Sequence, residues 1–185
     1  IIIPRSLKER KKRMPENQEL GRFKAIGAHN IQKHDRWDNL TPSMREEILT
    51  VAEVLPFRTN EYVMNNLINW DNVPNDPMYQ LTFPQKGMLG PRDYEIANGL
   101  KGMEHKGAKE RVINLIRLGL NPHPAGQMTH NVPVLDGRPL GNLQHKYKET
   151  VLFFPAKGQT CHAYCTYCFR WGLFVGLESL KFTAL

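Results

Sequence analysis

The spacing of apolar and polar residues predicts helices over much of the chain between residues 31 and 148. The first predicted helix begins after Thr41, which can cap it, and has Pro42 at its first position. Its apolar residues recur at helical spacing: Met44, Ile48, Val51, Ala52 and Leu55. The stretch "TNEYVMNNLINW" predicts a second helix, whose buried side would carry three residues: Tyr62, Leu67 and Trp70.

The segment "DNVPNDPMYQLTFPQKG", residues 71–87, is predicted to be an ordered loop, because Pro74, Pro77 and Pro84 interrupt any continuous regular element. A weak helix is predicted to start at Pro91 and to run into "MEHKGAKERVINLIRLGL". Gly119 is expected to end this helix. Its apolar stripe would contain four residues: Val112, Leu115, Ile116 and Leu120.

The pattern changes at residue 149. Val151–Phe154 is a continuous apolar run bounded by Thr150 and Pro155, which predicts a strand buried on both faces of a parallel sheet. We therefore expect an α/β fold with a basic arm at 1–30, a mostly helical region at 31–148 and the start of an α/β barrel at 149–185. In such barrels the loops after the strands carry the chemistry, so residues beyond 155 are the expected site.

Composition is that of a globular chain, with 185 residues of which 41% are hydrophobic and 23% charged. The formal net charge is +7, but an excess of +5 lies between Arg5 and Arg13. No aromatic residue interleaves those charges, so a solvated arm is favoured over a nucleic-acid contact. No stretch approaches the roughly 18 apolar residues of a membrane span, and a cytoplasmic location is expected.

All three cysteines lie within eight residues, as Cys161, Cys165 and Cys168 in "GQTCHAYCTYCFRW". Their odd number and crowding favour reduced thiols over a disulfide framework. Thiolates are soft ligands, preferred by zinc, copper(I) and iron-sulfur clusters, and this spacing can wrap around one centre. A 4Fe-4S cluster held by three cysteines would leave one iron open to a small molecule. The alternative is a non-catalytic zinc-binding helical module in which His162 adds a ligand.

The motif Cys161-x3-Cys165-x2-Cys168, with Tyr167 before the last cysteine, resembles the signature of the radical S-adenosylmethionine enzymes. Three further segments, "NDPMYQLTFPQ", "LQHKYKETVLFFPAKGQTC" and "CFRW", resemble the lysine 2,3-aminomutase family. The resemblance implies a helical region followed by the start of a truncated (β/α) partial barrel of the radical S-adenosylmethionine (radical-SAM) type. That start would consist of the first strand and of the cluster loop, which is the loop that carries the three cysteines.

The resemblance also implies an activity. In that family a 4Fe-4S cluster and S-adenosylmethionine generate a 5′-deoxyadenosyl radical, and pyridoxal 5′-phosphate assists a 1,2-amino shift on lysine. This chain would act as an aminomutase on a small-molecule substrate, lysine or a related amino acid, with electrons from a reductant such as flavodoxin or ferredoxin.

Roles for individual residues follow only from the resemblance. The three cysteines would bind the cluster, Tyr167 would lie near the adenine of S-adenosylmethionine, and Arg170 would pair with the substrate carboxylate. Lys146 and Tyr147 fall where the family contacts the phosphate of pyridoxal phosphate. Trp171 stands where the family commonly has a second arginine, so the substrate stays open. No residue is assigned a catalytic role.

The family's pyridoxal-phosphate lysine, its acidic substrate-binding residues and its glycine-rich turn all lie beyond the cysteine loop. From Val151 only 35 residues remain before the chain ends at Leu185, whereas a full eight-unit barrel takes about 250. We expect an incomplete fragment that is inactive by itself, and whether it forms a homo-oligomer stays open.

Overall fold

The structure, a computed structural model, describes residues 24–122, 130–141, 143–153, 161, 163–165, 168 and 171–177. This part of the chain contains five α-helices: α1 (Pro42–Ala52), α2 (Pro77–Thr82), α3 (Pro91–Gly99), α4 (Lys106–Leu120) and α5 (Trp171–Val175). Six strands form three two-stranded antiparallel sheets: β1 (Ala25–Gly27) with β2 (Arg58–Asn60), β3 (Val134–Leu135) with β4 (Arg138–Pro139), and β5 (Leu143–Tyr147) with β6 (Thr150–Phe153). None of the described helices has both the length and the apolarity needed to cross a membrane.

Helix α1 forms where the sequence predicts it. The Thr41 side chain accepts a hydrogen bond from the Met44 N–H at 3.3 Å, and Pro42 occupies the first turn, where no N–H partner is needed. The face that carries Ile48 and Val51 is fully buried. The N-terminal capping signal and the apolar period therefore agree, and both predictions are confirmed.

The second predicted helix is reduced to one π-helical turn at Val63–Leu67, and its predicted buried face is wrong. Tyr62 is 65% exposed, whereas Val63 and Met64 are buried. The Asn60 side chain accepts from the Val63 N–H at 3.0 Å, which fixes the start of the turn and therefore the side that faces the core. Of the three residues predicted to be buried, Trp70 does pack on the core, from a separate 3-10 turn at Trp70–Asn72.

The proline-rich segment contains helix α2, so its prediction as a loop is wrong over Pro77–Thr82. Pro77 stands in the first turn, where proline starts a helix instead of breaking it. The Asp76 carboxylate caps the helix, accepting from the Tyr79 N–H at 2.8 Å, and also accepts from the Asn69 N–H at 3.2 Å. Asp76 is buried, so the bond from Tyr79 lies inside the protein, and the bond from Asn69 is partly buried.

The weak helix predicted from Pro91 is confirmed, but it is α3 alone and does not run on into α4. A 3-10 turn at Leu100–Gly102 separates the two helices. Helix α4 passes through Gly119, so this glycine does not end it. The predicted stripe is partly wrong, because Ile113 and Ile116 are buried while Leu115 is 70% exposed. Leu115 lies one residue, about 100° of helix rotation, from Ile116.

Two clusters of buried side chains form the core. The first is rich in aromatic rings, with Tyr79 and Phe83 stacked at 4.7 Å and Phe57 5.0 Å from Phe83 between ring centroids. The second is mainly aliphatic: Val51, Val54, Leu55, Leu89, Tyr94, Ala97, Ile116, Val175 and Leu177. Helix α1 contributes to both clusters, since Ile48 belongs to the first and Val51 to the second.

The strand predicted at Val151–Phe154 is confirmed over Thr150–Phe153, but its predicted surroundings are wrong. Strand β6 pairs antiparallel with β5, with Thr150 opposite Tyr147. A turn at residues 148 and 149 folds the chain back locally, which favours an antiparallel hairpin over a parallel sheet. All four residues of β6 are exposed, Val151 by 53% and Phe153 by 62%. Phe154 lies outside the described residues. The barrel itself stays a prediction.

Candidate functional site

The three cysteines follow β6 in the chain and precede α5. None of them forms a disulfide; Cys161 and Cys165 are exposed, and Cys168 is partly buried. The Cys161 sulfur accepts from the Ala163 N–H at 3.4 Å. The Cys168 N–H donates to the Cys165 carbonyl at 3.2 Å, and the Trp171 N–H donates to the Cys168 carbonyl at 3.2 Å. These backbone bonds link Cys165 to Cys168, and Cys168 to the first residue of α5.

The donor chemistry of this loop fits an iron-sulfur cluster, but the thiols are not gathered into one centre. Three soft ligands on one short loop, none in a disulfide and none fully buried, match the ligand type that clusters use. In the described residues, however, no group of three or more His, Cys, Asp or Glu side chains is placed to hold a metal ion. Cluster binding by the cysteines therefore stays a prediction. His162, the added ligand of the zinc alternative, lies outside the described residues.

Tyr164, which precedes Cys165, fastens the loop to the helical region. Its backbone N–H donates to the Leu81 carbonyl at 2.8 Å, and its hydroxyl donates to the Pro56 carbonyl at 2.8 Å. The ring packs against the second core cluster. Burial raises the pKa of the Tyr164 phenol above the ordinary value of 10.0, because the phenolate would lose its hydration. The hydroxyl therefore remains a donor at neutral pH.

The Leu81 carbonyl is available because helix α2 ends there. The last carbonyls of a helix lack partners within it. Here the Tyr79 carbonyl accepts from the Phe83 N–H, the Gln80 carbonyl accepts from the Gln85 side chain at 3.0 Å, and the Leu81 carbonyl accepts from Tyr164. The segments "NDPMYQLTFPQ" and "GQTCHAYCTYCFRW", which both carry the family resemblance, therefore meet directly.

Beyond the cysteines, the chain stays attached through α5. Trp171 packs against the second cluster, and Val175 and Leu177 are buried in it. Gly176 ends the helix with a φ of +81°, a conformation that glycine adopts without strain. The Arg117 Nε donates to the Val54 carbonyl at 2.6 Å, and its guanidinium lies beside Gly176. Burial lowers the pKa of Arg117.

Lys146 and Tyr147 lie together on β5. The Lys146 Nζ is 5.4 Å from the centroid of the Tyr147 ring, and both side chains are exposed. This pair is accessible to a ligand, but in the described residues it does not lie within an enclosed site. Its predicted contact with the phosphate of pyridoxal phosphate stays a prediction. Tyr167 and Arg170 lie outside the described residues.

Two residues that fix the site were not singled out from the sequence, Tyr164 and Arg117. Tyr164 carries a signal that could have found it, because it is a large aromatic side chain between two cysteines in a polar loop. Arg117 carries none, since an arginine near the end of a helix is ordinarily solvated or compensates the helix dipole. Trp171 was singled out only for its departure from the family pattern, and the structure shows that it is part of the scaffold.

The described fold and site define a helical scaffold that carries three cysteines, two of them exposed and none in a disulfide, on one docked loop. Among curated proteins, the chain is similar to a protein of Aquifex aeolicus (strain VF5) named "Putative L-lysine 2,3-aminomutase", with 31% identity over 134 residues. The match covers 71% of this chain and 25% of that protein, so the chain spans about a quarter of its relative's length. The similarity supports a distant relationship to lysine 2,3-aminomutases. No protein-family profile and no solved structure matches the chain.

Proposed function

We propose that the chain is the cluster-binding part of a radical S-adenosylmethionine aminomutase related to lysine 2,3-aminomutase. The observation that carries this proposal is the loop with Cys161, Cys165 and Cys168, docked through Tyr164 on the segment "NDPMYQLTFPQ". The named similarity to the Aquifex protein supports the same reading. The substrate would be lysine or a related amino acid, and the reaction a pyridoxal-phosphate-assisted 1,2-amino shift.

The three thiolates would be the protein ligands of a 4Fe-4S cluster. Such a cluster has four irons, so three cysteines leave one iron for the amino and carboxylate groups of S-adenosylmethionine. When bound, the cluster supplies the electron that splits S-adenosylmethionine. The exposure of Cys161 and Cys165 leaves room for the cluster and for its small-molecule ligand beside the loop.

The remaining residues would bind and orient other groups. Arg170 would hold the substrate carboxylate, because its planar guanidinium makes paired hydrogen bonds to a carboxylate. Tyr167 would lie beside the adenine, and the exposed Lys146 and Tyr147 would contact a cofactor phosphate. An electron donor such as flavodoxin or ferredoxin would reduce the cluster.

Anaerobic reconstitution with iron and sulfide tests the proposal. We expect about four irons per chain, with the brown absorbance of a cluster, and we expect Cys165→Ala to lose both. Cysteine is the only soft ligand available in this loop, so nothing can replace the lost thiolate. Ser43→Ala is the matched control, since it removes one side-chain heteroatom from the exposed start of α1.

Two results would contradict the proposal. Iron and sulfide contents that stay equal in Cys165→Ala and Ser43→Ala would show that the thiol is not a ligand. One tightly held zinc per chain, with no uptake of iron, would favour the zinc-binding module instead.

A further inference from the structure

Tyr164 joins the cysteine loop to two different elements at once. Its N–H reaches Leu81 at the end of α2, and its hydroxyl reaches Pro56 in the connection between α1 and β2. The hydrogen bond between Cys168 and Cys165 is local, so it shapes the loop without placing it. The two bonds of Tyr164 place it, at a residue next to a thiol.

Both acceptors are themselves held in position. The residue after Pro56, Phe57, is buried in the first cluster and packs on Phe83. Helix α2, which supplies the Leu81 carbonyl, is fixed at its start by the buried Asp76 and after its end by Gln85. Because both acceptors are fixed, the two hydrogen bonds define the position of Tyr164.

The tyrosine ring adds a third restraint. It packs against the second cluster, and the side chains of α5 pack in the same cluster. The hydroxyl on this ring also has a partner, in a hydrogen bond that lies near the surface of the protein. The Pro56 carbonyl is that partner, at 2.8 Å.

We propose that Tyr164 is a positioning residue that holds the three thiols at a fixed place on the helical region for the metal centre that they bind. This inference rests on the proposed function for the existence and the identity of that centre. The anchoring itself can be measured without any metal.

The test is Tyr164→Phe, which removes the hydroxyl and keeps the ring and the backbone donor. In the metal-free chain, we expect hydrogen exchange in the peptide containing residues 161–168 to become about five- to tenfold faster, the factor of one lost hydrogen bond. Exchange in α1 should not change. After reconstitution, iron release to a chelator should accelerate by a similar factor, while the iron content at saturation stays the same.

Tyr62→Phe is the matched control, since Tyr62 is an exposed tyrosine outside the loop. It should leave exchange and iron release at wild-type rates. Tyr164→Met removes the hydroxyl together with the packing of the ring, so its loop should exchange at least as fast as that of Tyr164→Phe.

The outcomes separate the two proposals. A wild-type chain that takes up no iron would overturn the proposed function, whereas the exchange data would still decide whether Tyr164 anchors the loop. Unchanged loop exchange in both variants would overturn the positioning role. Equal acceleration in the loop and in α1 would also overturn it, because the hydroxyl would then support only overall stability.

Discussion

Asp76 fixes the start of α2, the helix whose Leu81 carbonyl accepts a hydrogen bond from the cysteine loop. Its buried carboxylate accepts hydrogen bonds from the Tyr79 and Asn69 N–H groups. Asp76→Ala should lower the free energy of unfolding by about 2–3 kcal/mol, because it removes a helix cap and leaves the buried Tyr79 N–H and the partly buried Asn69 N–H without their acceptor. The control is Asp38→Ala, whose exposed carboxylate forms an ion pair with Arg45 that should contribute about 0–1 kcal/mol. Urea unfolding measures both, and equal losses would contradict the role of Asp76.

At the scale of single residues, the sequence predicts contacts between near neighbours better than contacts that depend on the fold. The Thr41 cap is found correctly, because threonine followed by proline has a local meaning. Asn75-Asp76-Pro77 is compatible with a turn as well as a cap, and burial of Asp76 decides between them. Its position between two cysteines can draw attention to Tyr164, but no local pattern indicates its partners, which lie more than 80 residues away in the chain.

At the scale of elements, the end of α5 sets how the chain leaves the cysteine loop. Gly176 has a φ of +81°, which an L side chain adopts only with strain. Gly176→Ala should therefore cost about 1–2 kcal/mol of stability. Gly119→Ala is the matched control at an exposed position of α4, where a Cβ would meet nothing within 4 Å. It should stabilise the chain by about 0.5–1 kcal/mol. Thermal unfolding shows the sign of each change, and two changes of the same sign would contradict this prediction.

Short elements account for most of the differences between the expected and the observed fold. Helix α2 has six residues and the π-helical turn has five, too few for a hydrophobic period to indicate a buried face. Tertiary contacts decide their orientation instead. The continuous apolar run at β6 predicts a strand correctly, but neither the partner strand nor the covering layer is encoded in the run itself. The longer helices α1 and α4 follow their periodicity more closely.

At the scale of the whole molecule, parts of the chain that are distant in sequence meet at the connection between α1 and β2. The carbonyls of Val54 and Pro56 accept from Arg117 and Tyr164, which come from α4 and from the cysteine loop. Both clusters include residues of α1 or of this connection. The candidate site is therefore supported by the same buried residues that stabilise the helical region, and it is not an appendage of the hairpin that precedes it.

The hairpin of β5 and β6 should make the molecule associate as its concentration rises. Strand β6 exposes apolar side chains on both faces, and within the described residues it pairs with β5 alone. An exposed apolar strand with an unpaired edge can pair with another chain.

Val151→Lys should therefore weaken association about tenfold, since burial of one such side chain contributes about 1.5 kcal/mol and a charge opposes pairing. Leu115→Lys tests whether exposure of an apolar side chain is enough to cause association. Leu115 is more exposed than Val151, but it lies on a helix, whose backbone groups are already paired. Sedimentation velocity over a concentration series should show weaker association for Val151→Lys and wild-type behaviour for Leu115→Lys. The reverse order would place the contact on α4, and a wild-type chain that stays monomeric throughout would show that the hairpin does not pair.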